Sequence, residues 1–281
     1  MPLSKDEIKM LNSKAQEIRK KIVDITFTAG GGHVGGSLSQ TDVLVALYYK
    51  YLKIDPSKPD WEDRDRFILS KGHGGLGWAA ILGDKGYFDT SLLKNFNKTG
   101  SPFGMHLDSL KVPGCDASTG SLGHGLAIAT GLAKGAKLKG KKWKTCVMVG
   151  DGELCEGSNW EAAIIAARNK LNNLIGFVDR NKNMIDGPTE EISQLEPLAD
   201  KFVAFGWNVM SIDGHDMAKI GEAIEKALKS RTKPTMIICD TIKGKCVDFM
   251  EDDPTWHYGG LDSDKRDQAF ECIDKYYSKI K

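Results

Sequence analysis

The chain has 281 residues, 41% of them hydrophobic and 27% charged, with 39 Lys and Arg against 38 Asp and Glu for a formal net charge of +1. That composition excludes a disordered chain and leaves ample length to bury a core. The balanced charge gives no footing for nucleic acid, no apolar run approaches the roughly 18 residues of a membrane helix, and the start MPLSKDEIKM has no apolar signal region, so a cytoplasmic protein is expected.

Ser4 and Glu7 form a capping box that opens a helix running towards Thr28. AGGGHVGGSLS (Ala29 to Ser39) breaks it, and TDVLVALYYKYL (Thr41 to Leu52) reads as a second helix. A polar loop (Asp55 to Arg66) leads into FILS (Phe67 to Ser70), a short strand. Further strands are expected at TCVMVG (Thr145 to Gly150), LIGFVD (Leu174 to Asp179), WNVMSI (Trp207 to Ile212) and TMIICDT (Thr235 to Thr241). Helical patterns separate them at Leu122 to Lys137, Asn159 to Asn169, Glu196 to Phe205 and Met217 to Lys229. The strands are continuously apolar, as strands covered on both faces are. Their alternation with helices predicts an α/β fold with a doubly wound parallel sheet, and the absence of a linker or repeat predicts one domain over 1–281.

KLKGKKWK (Lys137 to Lys144) reads as a solvated helix end and loop. Cys115, Cys146, Cys155, Cys239, Cys246 and Cys272 show no zinc-type spacing and are expected as free thiols. In IDGHD, His215 reads as a loop residue and Asp216 as a helix cap. Two stretches, GGGHVG (Gly30 to Gly35) and GHGGLG (Gly72 to Gly77), satisfy G-x-G-x-x-G. The first follows a helix, and the second lacks the later acidic residue that would bind a ribose, so neither reads as a dinucleotide site.

Ligands of doubly wound sheets bind beyond the carboxyl ends of the strands. Two turns stand there, GDG (Gly150 to Gly152) and DRNKN (Asp179 to Asn183). Asp151 offers a carboxylate, Asn181 an amide oxygen and Asn183 a backbone carbonyl. Three such oxygens leave room in an octahedral Mg²⁺ shell for phosphate and water. Gly152 lets the backbone approach that phosphate, and the helix after Gly157 aims its N-terminus nearby.

GDGELCEGSNWEAAIIAARNKLNNLIGFVDRNKNMIDG, with GGGHVGGSLS, DRDRFILSKGHG, GMHLD, STGSLGHG, IDGHD and TIKGKCVDFMEDDPTWH, resembles the thiamine diphosphate-binding, N-terminal half of transketolase over nearly the whole chain. The resemblance implies the thiamine diphosphate-binding fold and transfer of a two-carbon ketol unit from a ketose, or its phosphate, to an aldose, in carbohydrate metabolism of the pentose phosphate type. It implies that Asp151, Asn181 and the Asn183 carbonyl bind Mg²⁺ or Ca²⁺. It places Gly152 and His73 at the diphosphate of the cofactor and Gly120, Ser121 and Leu122 along its thiazolium. His33, His106 and His257 would face substrate and exchange protons near neutral pH, His257 also touching the cofactor. Glu156 would join a carboxylate network between active sites. Ser121 and His124 stand where many relatives carry Pro and Gln, and Asn183 where an apolar residue is typical. The pyrimidine-binding and C-terminal domains are absent, which implies an α2β2 heterotetramer with a separate C-terminal transketolase subunit. The rival readings are a deoxyxylulose-phosphate synthase-like enzyme, a non-catalytic cofactor-binding scaffold and a 2-oxo-acid dehydrogenase α subunit.

Overall fold

The computed structural model describes residues 2–280. Ser4 accepts the amide of Glu7 and the Glu7 carboxylate accepts the amide of Ser4, so the capping box forms and opens α1 (Lys5–Ala29). Gly30 ends it with φ at 78°, the left-handed cap that costs glycine least. The glycine-rich stretch beyond is not merely a breaker. It folds into the short buried α2 (Val34–Ser39), followed by α3 (Thr41–Ala46), which widens into a π-helical turn over Leu47–Tyr51. Then come β1 (Arg66–Leu69), α4 (Gly75–Asp84), α5 (His124–Leu138), β2 (Thr145–Gly150), α6 (Gly157–Arg168) and β3 (Leu174–Arg180). The chain continues with α7 (Thr189–Ile192), α8 (Leu198–Ala204), β4 (Asn208–Asp213), α9 (Met217–Leu228), β5 (Thr235–Asp240) and α10 (Ser263–Ser278).

All strand pairs are parallel, in the order β1-β2-β3-β5-β4. Side chains alternate between two cores, as the period of a strand requires. Cys146 and Met148 of β2 face the layer of α1, α3, α4 and α9, whereas Val147 and Val149 face α5, α6 and α8. Every residue of β2 and β3 is buried. β4 departs from the expected two-sided burial, since half its residues are exposed and the rest only partly buried. It is an edge strand, paired only with β5. All six cysteines are free. In the lysine-rich segment α5 ends at Leu138 as expected, but Lys141 pairs with Asp63 at 2.9 Å and Trp143 is buried. No helix among the described residues is long and apolar enough to cross a membrane.

Asp216 caps α9 by accepting the amides of Ala218 and Lys219. His215 does lie in the preceding loop, yet its ring is buried and both nitrogens are engaged. Nε2 accepts the amide of Ile242 at 2.9 Å, which puts the ring proton on Nδ1, 2.7 Å from Asp42. Asp42 in turn takes a two-pronged contact from the fully buried Arg19, at 2.9 and 2.6 Å. Arg19 also reaches the Leu38 carbonyl and the Tyr277 hydroxyl, joining α1, α2, α3 and α10. Removing one partner of a buried ion pair strands the other charge. Asp42→Ala is therefore expected to lower the unfolding free energy by about 3–5 kcal/mol, measured by urea titration of the chain.

Candidate cofactor site

β2 and β3 run in register, with Gly150 opposite Asp179, so their carboxyl ends deliver the two turns side by side. Backbone and side chain then tie them. The amide of Asp151 reaches the Asp179 carbonyl at 3.3 Å, and Asp151 Oδ2 accepts the amide of Lys182 at 2.6 Å. The Arg180 guanidinium adds a contact of 3.1 Å to the same oxygen, and Oδ1 accepts the amide of Gly152 at 2.8 Å.

A cavity of about 400 Å³ opens above these turns. Of the residues expected at the metal and the diphosphate, Asp151, Gly152, Asn181, Asn183 and His73 line it. So do Gly120 and Leu122, and so do His33, His106 and His257. Ser121 and Glu156 do not. Both are exposed, Glu156 at the N-terminus of α6 with its side chain making no capping bond there. His124 is exposed as well, on the first turn of α5.

Three imidazoles form a triangle. Ring centroids of His33 and His73, His33 and His257, and His73 and His257 lie 5.1, 5.1 and 5.2 Å apart. His106 packs on Gly120, whose φ is 152° and whose missing side chain makes the room, since a Cβ there would come 3.0 Å from the ring. Burial, the largest cause, holds His33 down to about 4, His73 to about 2 and His257 to about 3, with cationic Lys71 and Lys243 beside them adding to the effect. Burial lowers His106 too. The imidazoles are thus uncharged bases at neutral pH. The Nδ1 of His33 is buried and has no hydrogen-bond partner among the described residues.

Lys71, Lys243 and Glu153 also line the cavity and Asp179 braces it, and the sequence assigned a role to none of them. Lys71 and Lys243 stand shortly after the ends of β1 at Leu69 and β5 at Asp240, so a lysine placed just past the carboxyl end of a buried strand was the available signal. Lys243 Nζ donates to the carbonyls of Asn183 and Met184 at 3.2 and 3.1 Å, and to Nδ1 of His257 at 3.0 Å. An ammonium only donates, so the His257 proton sits on Nε2. Glu153 accepts the amides of Gly123 and Gly150 at 2.9 and 3.0 Å and the hydroxyl of Ser70, locking the 120–123 loop to the end of β2. No local pattern distinguishes it from a surface glutamate.

The chain matches the family described as transketolase, thiamine diphosphate binding domain, over residues 10–271. It belongs to that family. It is 47% identical over 241 residues to the 6-deoxy-6-sulfo-D-fructose transketolase subunit SqwG of Clostridium sp. (strain MSTE9), covering 86% of this chain and 88% of that one. It is 41% identical to an apulose-4-phosphate transketolase subunit of Actinobacillus succinogenes, over 96% of both chains. The transketolase of Campylobacter jejuni superposes with a TM-score of 0.90 at 34% identity, over 95% of this chain but only 43% of its own. The chain is an N-terminal, thiamine diphosphate-dependent transketolase subunit, and its class is transferase.

The residues present fit the cofactor of the family. The Lys243 ammonium and the clustered imidazoles suit an anionic diphosphate. Asp151, Asn181 and the Asn183 carbonyl form an all-oxygen set of the kind that hard cations take. Burial and the neighbouring Asp179 push Asp151 above the usual carboxylate range, against the pull of Arg180 3.1 Å away. The Asn183 carbonyl already accepts a cation, the Lys243 ammonium.

The depressed imidazoles make acid sensitivity a property of this site. An unfolded chain binds protons at His33, His73 and His257 near pH 6.5, whereas the folded chain resists them down to about 4, 2 and 3. Their contribution to stability is present above pH 6.5 and is lost as the pH falls from there, down to about 4 for His33, 3 for His257 and 2 for His73. The thermal midpoint of the cofactor-free chain is expected to fall more steeply over this window than that of His33→Asn/His257→Asn. Parallel curves for the two would remove the imidazoles as the cause.

Proposed function

We propose that this chain is the cofactor- and metal-binding half of a two-chain transketolase, moving a two-carbon ketol unit from a ketose or its phosphate to an aldose or its phosphate. The observation that carries the reading is a cavity at the ends of β2 and β3 in which the two turns meet three clustered imidazoles and His106. Thiamine diphosphate, when bound, supplies the electron sink that allows a carbon–carbon bond beside a carbonyl to break. Asp151, Asn181 and the Asn183 carbonyl would hold Mg²⁺ or Ca²⁺, while Gly152 and His73 would adjoin the diphosphate and Gly120 and Leu122 would flank the ring, with Ser121 between them but outside the cavity lining. His33, His106 and His257 take hydroxyl protons from substrate, for which an uncharged imidazole is the competent form, and return them from the imidazolium so formed.

The chain constitutes one domain, and a C-terminal subunit supplies the pyrimidine-binding half. The pairing is α2β2, with Glu156 at the junction between active sites. The division into two chains is supported by the length of the subunit relatives, which this chain covers by 88–97%, against 43% of the Campylobacter jejuni transketolase. Two of those relatives are named for a sulfonated ketose and a phosphorylated ketose. By extension, the donor here is a ketose with an anionic end.

The purified chain is expected to show no ketol transfer alone and to gain it on mixing with the partner. In the mixture His106→Ala or His257→Ala should lower kcat by about 10²–10⁴-fold. Unchanged turnover in both variants would favour a scaffold role, and consumption of pyruvate in place of a ketose would favour a deoxyxylulose-phosphate synthase-like enzyme. Calorimetric titration of thiamine diphosphate with Mg²⁺ and then with EDTA tests the clamp, because Asp151→Ala should abolish the metal-dependent part of binding.

A further inference from the structure

We propose that Asp179 is a positioning residue that fixes which atom of Asn181 is offered to the metal. The inference rests on the metal reading above and extends it to a residue that does not itself ligate. Asp179 is buried on β3, the central strand, and its carboxylate accepts from three other segments and from Asn181, two residues further along its own. Oδ2 takes the Ser39 hydroxyl at 2.6 Å, the Lys71 ammonium and Nδ2 of Asn181 at 3.1 Å, and Oδ1 takes the Thr241 hydroxyl at 2.5 Å. Lys71 is equally buried and also reaches the Gly36 carbonyl at 2.9 Å, so charge on Asp179 is matched inside the protein.

A carboxylate accepts hydrogen bonds and does not donate them, so it selects the nitrogen of the Asn181 amide. The other end of the amide is selected independently, because Asn181 Oδ1 accepts the amide of Asn183 at 3.2 Å. A flipped amide would set oxygen against the Asp179 carboxylate and NH₂ against the Asn183 N–H. Both contacts would be repulsive. Oxygen is therefore the atom left with a free lone pair for a cation, whereas a flip would present a donor that Mg²⁺ cannot use. Partners that orient metal ligands in this way are worth about 10- to 100-fold in metal affinity.

The test compares two variants that lose the same ion pair and differ in the acceptor. Lys71→Met/Asp179→Leu removes the acceptor, whereas Lys71→Met/Asp179→Asn keeps a carbonyl oxygen that can hold the Asn181 nitrogen. Replacing a buried ion pair by uncharged side chains of similar volume can leave stability intact, which the thermal midpoint checks. Mn²⁺ uptake, followed by electron paramagnetic resonance, is measured with saturating thiamine diphosphate on the full chain, alone and with its partner subunit. The leucine variant is expected to bind Mn²⁺ about 10- to 100-fold more weakly, the asparagine variant within a few-fold of wild type. Adding Asn181→Asp to the leucine variant should restore affinity, because a carboxylate presents oxygen in either orientation. Equal affinity in the two variants, or no rescue, overturns the proposal while leaving the metal site standing, provided Asp151→Ala still abolishes uptake. If neither preparation of the wild type takes up Mn²⁺, or Asp151→Ala changes nothing, the metal reading and the proposal fall together. Should the leucine variant not fold, hydrogen exchange of the Asn181 side-chain amide in the wild type decides. Slow exchange supports the bond to Asp179, and exchange as fast as that of an exposed asparagine overturns it.

Discussion

The carboxylate of Asp179 is the point on which the cofactor end of the molecule turns. It lies at the carboxyl end of the central strand and is bonded by residues that follow β1, β3 and β5 and by the last residue of α2. Parallel strands bring their carboxyl ends to one edge, but the sheet ladder stops there and does not register the turns beyond it. A buried charge does. Desolvating both ions costs more than a hydrophobic pair of the same size would, so the Lys71–Asp179 pair is weak evidence of stabilisation. Its value is geometric: moving any of the three segments that carry Ser39, Lys71 and Thr241 away from β3 breaks a bond to a buried ion.

The same device recurs on the other walls of the cavity. Glu153 gathers two backbone amides and a hydroxyl, and so holds the loop that carries Gly120 and Leu122 against β2. Asp42, charged against Arg19, orients His215, which grips the amide of Ile242, one residue before Lys243. Each wall is thus tied by one carboxylate, a group able to accept about four hydrogen bonds from different directions. Flexible glycine-rich segments form much of the lining, and these acceptors restrict them where helices and strands do not reach.

The division between what the sequence discloses and what it hides follows from range. Helix starts and strand interiors depend on neighbours within a turn or a strand length. The capping box at Ser4, the buried runs of β2 and β3 and the cap at Asp216 are accordingly all legible. The two turns are legible as well, because glycine, aspartate and asparagine concentrate chemistry into short stretches, whereas the histidines that line the cavity are legible through the family resemblance. The partners of Lys71, His215 and Lys243 lie 108, 173 and 60 residues away, at Asp179, Asp42 and Asn183. A lone lysine or histidine in a loop reads as solvated until the fold supplies that partner. β4 fails for a related reason, since an apolar run carries no mark of whether its strand lies inside the sheet or at its edge.

The electrostatics of the cavity bear on how the proposed ligands enter. Two buried carboxylates, Asp151 and Glu153, stand on one side, and both are pushed towards the neutral form by burial. Lys243 faces the same space, and burial and Lys71 pull it down to about 8. A dication arriving alone meets that ammonium, and a diphosphate arriving alone meets the carboxylates. Bound together, the cation relieves Asp151 and the anion relieves Lys243, so each ligand improves the site for the other. The Asn183 carbonyl has two lone pairs and can serve both the ammonium and a metal. On the proposed reading, metal and cofactor binding are coupled by charge alone, without any change in the fold.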